Sequence, residues 1–240
     1  RISLLSIVNI SEKILEELMT FIQLEFLAFL IAGIIFFYLF PVKYRWVALL
    51  LLSIAFYAVA GVKFFPFILT TSFSVYLAGV WMGRIYKKQE GQLAGEGLTR
   101  QDKKAIKERA KRRCRRVVVA ALLLNVGILC VVKFTKFFVE PINELIRAMG
   151  GEGTFSAAYI IVPLGISYYT FTSLSYLLDV YWKRVGYEKN YLRFLLYAIY
   201  FPHILQGPIE RYGRLGERLK QELRFDYDRV ASGMQLMIWG

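Results

Sequence analysis

Long apolar runs recur along this 240-residue chain, and they constrain its fold more than any other feature. A helix needs about 20 mostly apolar residues to cross the hydrocarbon core of a bilayer. Inside lipid the backbone must satisfy its own hydrogen bonds, which uninterrupted apolar runs do by forming helices. We therefore predict an all-α polytopic membrane protein. The expected spans are about 24–40, 47–60, 67–82, 117–132 and 160–182.

Composition excludes an ordinary soluble domain and argues against a nucleic-acid-binding protein. Hydrophobic residues make up 57% of the chain, against roughly 45–50% in soluble domains. Aromatic residues make up 16%, which fits membrane interfaces and packed cores. The net charge is +13, but 13 of the 31 Lys and Arg residues lie within 84–116. In a membrane protein such a concentration indicates a cytoplasmic loop, so we expect no nucleic-acid partner.

The basic segment 84–116 also predicts the orientation of the chain. Placing it inside puts Lys43 with Arg45 and Lys183 with Arg184 on the same side, and the N-terminus outside. The charge pattern therefore predicts a multi-pass membrane protein whose basic segment lies in the cytoplasm. The helix-compatible part of this segment is solvated or lies against anionic lipid head groups; the alternative is a docking site for an acidic carrier protein.

The two ends of the sequence look unlike the middle. Residues 1–18 lack the features of a cleavable signal peptide, and Met19 offers a more natural start of translation, so we treat 1–18 as a leader of doubtful nativeness. An amphipathic surface helix over 11–18 is the alternative. An apolar run is cut off at Gly240, so 19–240 is expected to be the N-terminal part of a longer transmembrane domain.

The segment from Pro163 to Tyr212 is the most informative, because its first half combines apolar length with polar side chains. A single helix face collects four of them at spacings i, i+4, i+7 and i+11: Tyr168, Thr172, Ser175 and Asp179. A polar stripe on a spanning helix must face protein or water, because lipid offers no hydrogen-bond partner. The stripe predicts a polar cavity inside the membrane domain.

The second half of this segment predicts a re-entrant or buried element over 192–208. Its apolar run is too short for a straight span, and it ends at a Gly207-Pro208 break. The charged pair Glu210-Arg211 follows directly, either as an internal ion pair or as the lining of a polar passage.

No catalytic arrangement or metal site is visible in the residues. His203 is the sole histidine; we expect it to pack beside Pro202 and bond a backbone carbonyl, with general-base catalysis as the alternative. Asp179 is expected to cap its helix or pair with Lys183. The two cysteines, Cys114 and Cys130, form neither a disulfide framework nor a metal-ligand spacing. These residues alone leave open a transporter or an enzyme acting on lipid or glycan.

The sequences VPLGISYYTFTSLSYLLDVYWKR and FLLYAIYFPHILQGPIERY resemble the membrane-bound O-acyltransferase (MBOAT) family, in its branch of alginate O-acetyltransferases and related exopolysaccharide acetylases. The resemblance implies a ring of transmembrane helices with a re-entrant element around a central funnel, incomplete here at the C-terminus. It also implies O-acetylation of an exported, alginate-like polysaccharide. The funnel-wall residues that it carries over are Gly165, Tyr168, Tyr169, Thr172, Ser175, Asp179, Gly207, Pro208, Glu210, Arg211 and Tyr212.

The resemblance places the catalytic histidine in a later helix, beyond Gly240, and His203 does not match its position. It implies no tightly bound cofactor; the acyl donor, acetyl-CoA or an acyl carrier, is a co-substrate from the cytoplasmic side. The acceptor is a polysaccharide, or an acetyltransferase partner outside the membrane, and lipids surround the whole. D-alanyl transfer toward teichoic acid and a transporter with a half-helix binding site at the Gly-Pro break remain as alternatives.

The orientation can be tested by labelling. With both native cysteines replaced by serine, a cysteine at Gly95 should resist a membrane-impermeant maleimide in intact cells and react after permeabilisation, because 84–116 faces the cytoplasm. Ready labelling of intact cells would reverse the predicted topology.

Overall fold

The computed structural model describes residues 24–95, 98–149, 165–203, 210–221 and 224–239. Within these ranges the chain is helical, with no β-strand, as the apolar runs predict. The α-helices are α1 (Leu24–Leu39), α2 (Arg45–Gly61), α3 (Phe65–Leu93), α4 (Arg100–Ala148), α5 (Ile166–Tyr181), α6 (Tyr191–Ala198), α7 (Tyr212–Lys220) and α8 (Tyr227–Trp239). Three 3₁₀ turns join them, at Val42–Tyr44, Val62–Phe64 and Phe201–His203.

Three stretches of the described chain are long and apolar enough to cross a membrane: Val42–Val59, Val62–Leu93 and Arg100–Thr135. They contain most or all of the predicted spans 47–60, 67–82 and 117–132. The first predicted span corresponds to α1, whose apolar part, Ala28–Leu39, is shorter than these three. The fifth corresponds to α5, which has 16 residues and begins at Ile166; residues 160–164 lie outside the described ranges.

Most of the basic segment 84–116 is helical. Helix α3 continues to Leu93, and α4 begins at Arg100. A capping box starts α4: the Asp102 amide donates to the Thr99 hydroxyl at 3.2 Å, and the Thr99 amide donates to the Asp102 carboxylate at 3.2 Å. Helix α4 continues to Ala148, with Pro141 inside it. Good helix formers fill this stretch, and they extend the helix beyond the membrane span in both directions.

Residues 50–221 form one compact unit, in which α3, α4 and α5 pack on one another and α6 and α7 pack against them. Its core joins Val75 and Met82 of α3 to Val118 of α4 and Leu177 of α5. Apolar side chains on the other faces of α3 and α4 are exposed, as expected for lipid-facing surfaces: Phe73, Leu77, Trp81, Leu123, Leu124 and Val131.

The second compact unit comprises residues 1–49 and 222–240. Aromatic contacts hold its described part. The Arg45 guanidinium lies 4.9 Å from the Tyr38 ring, and that ring meets Phe225 edge-on at 5.4 Å.

Helix α5 is the central helix of the larger unit. Among its 16 residues Phe171 alone is exposed. Gly165 precedes it with φ +66°, a left-handed conformation that glycine adopts without a steric penalty. Its C-terminus is a Schellman-type cap, in which the Arg184 amide donates to the Asp179 carbonyl and the Lys183 amide to the Val180 carbonyl. Lys183 occupies the left-handed position, at φ +57°.

The packing of α3 predicts opposite effects for two glycine-to-alanine changes in the same helix. A Cβ at Gly83 would overlap the ring of Tyr187, whereas a Cβ at Gly91 meets nothing within 4 Å. Gly83→Ala should destabilise the protein by about 1–3 kcal/mol through overpacking. Gly91→Ala should be neutral or stabilise it by up to about 1 kcal/mol through helix propensity. Thermal unfolding in detergent distinguishes the two; equal melting temperatures would show that Tyr187 does not pack on Gly83.

Candidate functional site

The predicted polar stripe of α5 faces the interior of the protein. Thr172 and Asp179 are buried, and Tyr168 and Ser175 are half-buried. Further hydroxyls lie on other sides of the same helix and are also buried, among them Tyr169, Thr170, Ser173 and Tyr176. The bundle therefore surrounds α5 on nearly all sides, so that its polar groups avoid lipid.

Several of these hydroxyls are buried and lack a partner elsewhere in the part of the chain that the structure describes. The Ser173 oxygen has none there, and the Tyr168 and Thr172 oxygens have none besides each other. A buried hydroxyl without a partner costs roughly 1–3 kcal/mol. Unpaired buried polar atoms concentrated on one helix are therefore a candidate surface for a polar ligand or ordered water. This part of α5 is the first component of the candidate site.

Asp179 is buried, but its partner is not the one expected. Its carboxylate lies 3.5 Å from the guanidinium of Arg184. Lys183 instead reaches the buried side chain of Gln89 on α3 at 3.4 Å and lies 4.3 Å from the Tyr86 ring. The prediction of an Asp179–Lys183 pair was wrong, because the helix ends between them and Lys183 takes the left-handed conformation.

The second half of the segment folds as a short helix followed by a 3₁₀ turn. Helix α6 has eight residues, and the Asn190 side chain caps it by accepting from the Leu192 amide at 2.9 Å. Of the predicted element 192–208, the structure describes the portion up to His203. Gly207 and Pro208 lie outside the described residues, so the break and the re-entrant path stay predictions.

His203 ends the described part of this element and is half-buried. Its ring lies 5.3 Å from that of Tyr200, and its Nδ1 atom is buried without a hydrogen bond among the described residues. The expected bond from the ring to a backbone carbonyl is therefore not seen for Nδ1. The ring contact that the structure shows is with Tyr200, and packing beside Pro202 stays a prediction.

After the undescribed residues 204–209 the chain is anchored at Glu210. The Tyr197 hydroxyl donates to the Glu210 carbonyl at 2.8 Å. No ion pair joins the Glu210 and Arg211 side chains, which are half-buried and exposed, respectively. Tyr212 is fully buried, and its ring contacts Tyr176 at 4.8 Å and Tyr197 at 4.9 Å. Helix α7 thus begins on a buried tyrosine packed against α5 and α6.

Glu188, in the loop between α5 and α6, organises this region. It is 7% exposed. Its carboxylate accepts the Tyr212 hydroxyl at 2.5 Å, the Lys220 ammonium at 2.9 Å and the amides of Lys189 and Asn190 at 2.8 and 2.9 Å. The Glu188 amide itself donates to the Tyr176 hydroxyl at 2.8 Å. One side chain and its backbone therefore connect α5, the loop, α6 and α7.

The electrostatics of this cluster favour a charged Glu188. Burial works against the carboxylate, but the hydrogen bonds from Tyr212 and Lys220 outweigh it, and the pKa of Glu188 falls below its usual value. Burial and the adjacent Glu188 raise the pKa of Tyr212, so its hydroxyl stays protonated and donates. Burial lowers the pKa of Lys220, but bonds to Glu188 and Glu217 raise it above the usual value.

Sequence reasoning found the polar face of α5 and missed Glu188, Lys220, Tyr176 and Tyr197. Glu188 did offer a signal, because it is the only carboxylate between Asp179 and Glu210. Its partner Lys220 is 32 positions away and looks like any surface lysine in a charged segment. Among the described residues no three His, Cys, Asp or Glu side chains come together in a way that could hold a metal ion.

The described fold, with three helices of membrane-spanning length and no β-strand, defines an all-α membrane protein. Comparison with curated proteins makes this more specific. The chain is 30% identical over 129 residues to a probable alginate O-acetylase of Pseudomonas aeruginosa, covering 54% of this chain and 24% of the relative. It is 26% identical over 204 residues to one from Azotobacter vinelandii, covering 85% and 36%. The resemblance to alginate O-acetylases is thereby confirmed.

A more distant relative is the peptidoglycan O-acetyltransferase of Helicobacter pylori, 23% identical over 143 residues, which cover 49% of this chain and 26% of that protein. The chain spans about a quarter to a third of the length of the curated relatives described here. No family model and no solved structure matches it. All three relatives are named for O-acetyl transfer.

The geometry around Lys220 predicts a difference between its two acidic partners. Glu188 and Glu217 each lie 2.9 Å from the ammonium, but Glu188 is buried and the Glu217 side chain is 57% exposed. Glu188→Gln should cost about 2–3 kcal/mol of unfolding free energy, because the buried charge-assisted bonds are weakened. Glu217→Gln, which removes the same charge, should cost less than about 0.5 kcal/mol. Equal effects would show that the buried network adds nothing.

The pH dependence of the unfolding free energy should also distinguish Glu188 from Glu217. The pKa of Glu188 is depressed in the folded state, so its contribution to stability is present above the unfolded value of about 4.3. It is lost as the pH falls through the folded-state pKa. Melting temperatures measured from pH 7 down to pH 3.5 should fall less steeply below pH 4.5 for Glu188→Gln than for the wild type or Glu217→Gln.

Proposed function

We propose that this chain is part of a membrane O-acyltransferase that O-acetylates an exported or cell-surface polysaccharide of alginate-like chemistry. The observation that carries the proposal is its similarity to the alginate O-acetylases, over up to 85% of this chain. The peptidoglycan O-acetyltransferase relative supports the broader class, acetyl transfer to a sugar polymer of the cell surface. An all-helical membrane domain is consistent with both.

In this proposal α5 supplies one wall of the passage in which donor and acceptor meet. The buried hydroxyls of Tyr168 and Thr172 on the polar stripe support it. Among the described residues they have no partner besides each other, and a sugar or a carbonyl group could bond to them. Gly165 and Asp179 mark the two ends of this wall, and Tyr169 and Ser175 complete it. We assign the second wall, on the basis of the family resemblance, to Gly207, Pro208, Glu210, Arg211 and Tyr212.

The Glu188 cluster acts in this proposal as a positioning device and not as a catalyst. Its carboxylate already accepts hydrogen bonds from Tyr212, Lys220 and two backbone amides. Its oxygens are therefore not positioned to exchange a proton with substrate. It fixes the start of α7 against α5.

The general base that deprotonates the acceptor hydroxyl is expected from a histidine beyond Gly240, in the part of the relatives that this chain does not span. The acyl donor, acetyl-CoA or an acylated carrier, would approach from the cytoplasmic side. The acceptor, a polysaccharide or an extracytoplasmic acetyltransferase partner, would be met from outside. In this proposal the protein lies in the bacterial inner membrane with its N-terminus outside.

The proposal is tested by ester analysis of the exported polysaccharide in the organism that carries the gene. Deletion of the gene should abolish the acetyl esters, and the full-length gene should restore them. Unchanged acetyl content in the deletion strain would overturn the proposed function. Loss of D-alanyl esters instead would point to the teichoic acid reaction.

The same ester analysis tests whether His203 acts as the general base. In the full-length protein His203→Gln should retain transfer within about tenfold of the wild type, because glutamine keeps the size and polarity of a packed side chain. Loss of a general base would cost on the order of 10²–10⁴-fold. A loss of that size, with normal protein level in the membrane, would make His203 the base.

A further inference from the structure

A basic groove lies on α4 just before its apolar part. It has a volume of about 500 Å³ and is lined by Glu108, Lys111, Arg112, Arg115 and Tyr181. The four α4 residues follow the spacing i, i+3, i+4 and i+7, which places them on one helix face. With three cations and one carboxylate, the groove carries a net charge of +2.

The cations of the groove are available for a ligand. Arg112 lies 4.0 Å from Glu108, and both side chains are more than half exposed, so this pair is weak. Lys111 and Arg115 are exposed and form no ion pair with any described residue. Tyr181 is held in place from the other side, because its carbonyl accepts the Tyr86 hydroxyl at 2.8 Å.

The position of the groove along α4 matches the depth of lipid head groups. The apolar part of this helix begins at Val117. At 1.5 Å per residue, Arg115 lies about 3 Å and Arg112 about 8 Å beyond that boundary. Each head-group layer is roughly 5–8 Å thick. The backbone positions of Arg112 and Arg115 therefore lie within the head-group layer, where the lipid phosphates are.

Aromatic residues at the end of α5 independently indicate that the groove lies at the level of the lipid head groups. Tyr181 lines the groove, and the next residue, Trp182, is 52% exposed. The Arg184 guanidinium lies 4.7 Å from the Trp182 ring. Tyrosine and tryptophan concentrate at the membrane–water interface, where their rings reach the head-group layer. Two separate helices thus place the groove at the same level of the bilayer.

We propose that this groove binds the phosphate of an anionic phospholipid, with Lys111, Arg112 and Arg115 as the phosphate ligands and Tyr181 against the glycerol and upper acyl region. Guanidinium groups bind phosphate through two parallel hydrogen bonds, and a lipid held in this way joins α4 to the end of α5. The site is independent of the acyl-transfer reaction, so it stands or falls separately from the proposed function.

The test compares two double variants of the full-length protein in detergent. Lys111→Gln with Arg115→Gln removes two groove cations. Arg109→Gln with Arg113→Gln removes the same charge from exposed positions of α4, each about 100° or more around the helix from the centre of the groove face. Binding is measured by native mass spectrometry and by the rise in melting temperature on titration with phosphatidylglycerol, phosphatidylcholine or inorganic phosphate. Melting temperatures without lipid verify that all variants are folded.

The wild type should bind phosphatidylglycerol in preference to phosphatidylcholine. The affinity of the groove variant for phosphatidylglycerol should fall about 30-fold, which corresponds to roughly fivefold for each removed cation. That of the control variant should fall less than threefold. Equal losses in both variants would show unspecific attraction to the basic helix and overturn the site. Stabilisation by inorganic phosphate as strong as by the lipid would point to a soluble phosphate ligand. Absence of preference for the anionic lipid would also refute the proposal.

Discussion

The structure depends on one constraint, that a polar group within a membrane domain must find its partner in the protein. Helix α5 carries hydroxyls on several faces and a carboxylate near its end, so it can only lie where other helices surround it. The bundle meets this requirement, because α3, α4, α6 and α7 pack on α5 and leave only its Phe171 exposed. The apolar surfaces of α3 and α4 then face outward, as lipid requires.

Glu188 extends the same constraint to the loop that follows. A buried carboxylate is tolerated when charge and hydrogen bonds compensate its desolvation, and here Lys220, Tyr212 and two amides do so. Because these partners belong to different elements, satisfying one charge also fixes where α7 begins. The geometry of the proposed passage beside α5 therefore depends on the Glu188 carboxylate, which does not need to contact substrate.

The continuous helix α4 changes how the basic segment should be understood. Residues 100–116 belong to the same helix as an apolar span, so their cations are held at fixed positions along α4. One face of this helix meets the end of α5. In the sequence this concentration of charge indicates topology. In the structure part of it lines a groove of defined shape, for which we propose one occupant.

The sequence by itself determined the all-α membrane class, the approximate spans 47–60, 67–82 and 117–132, and the inward-facing stripe Tyr168–Asp179, because hydropathy and helical period are local properties. It also carried the resemblance that the alginate O-acetylases confirm. It could not determine the Asp179–Arg184 pair or the Glu188–Lys220 contact. Those depend on how helix ends and distant segments meet, and such contacts follow from packing and desolvation in the tertiary structure, not from any spacing in the chain.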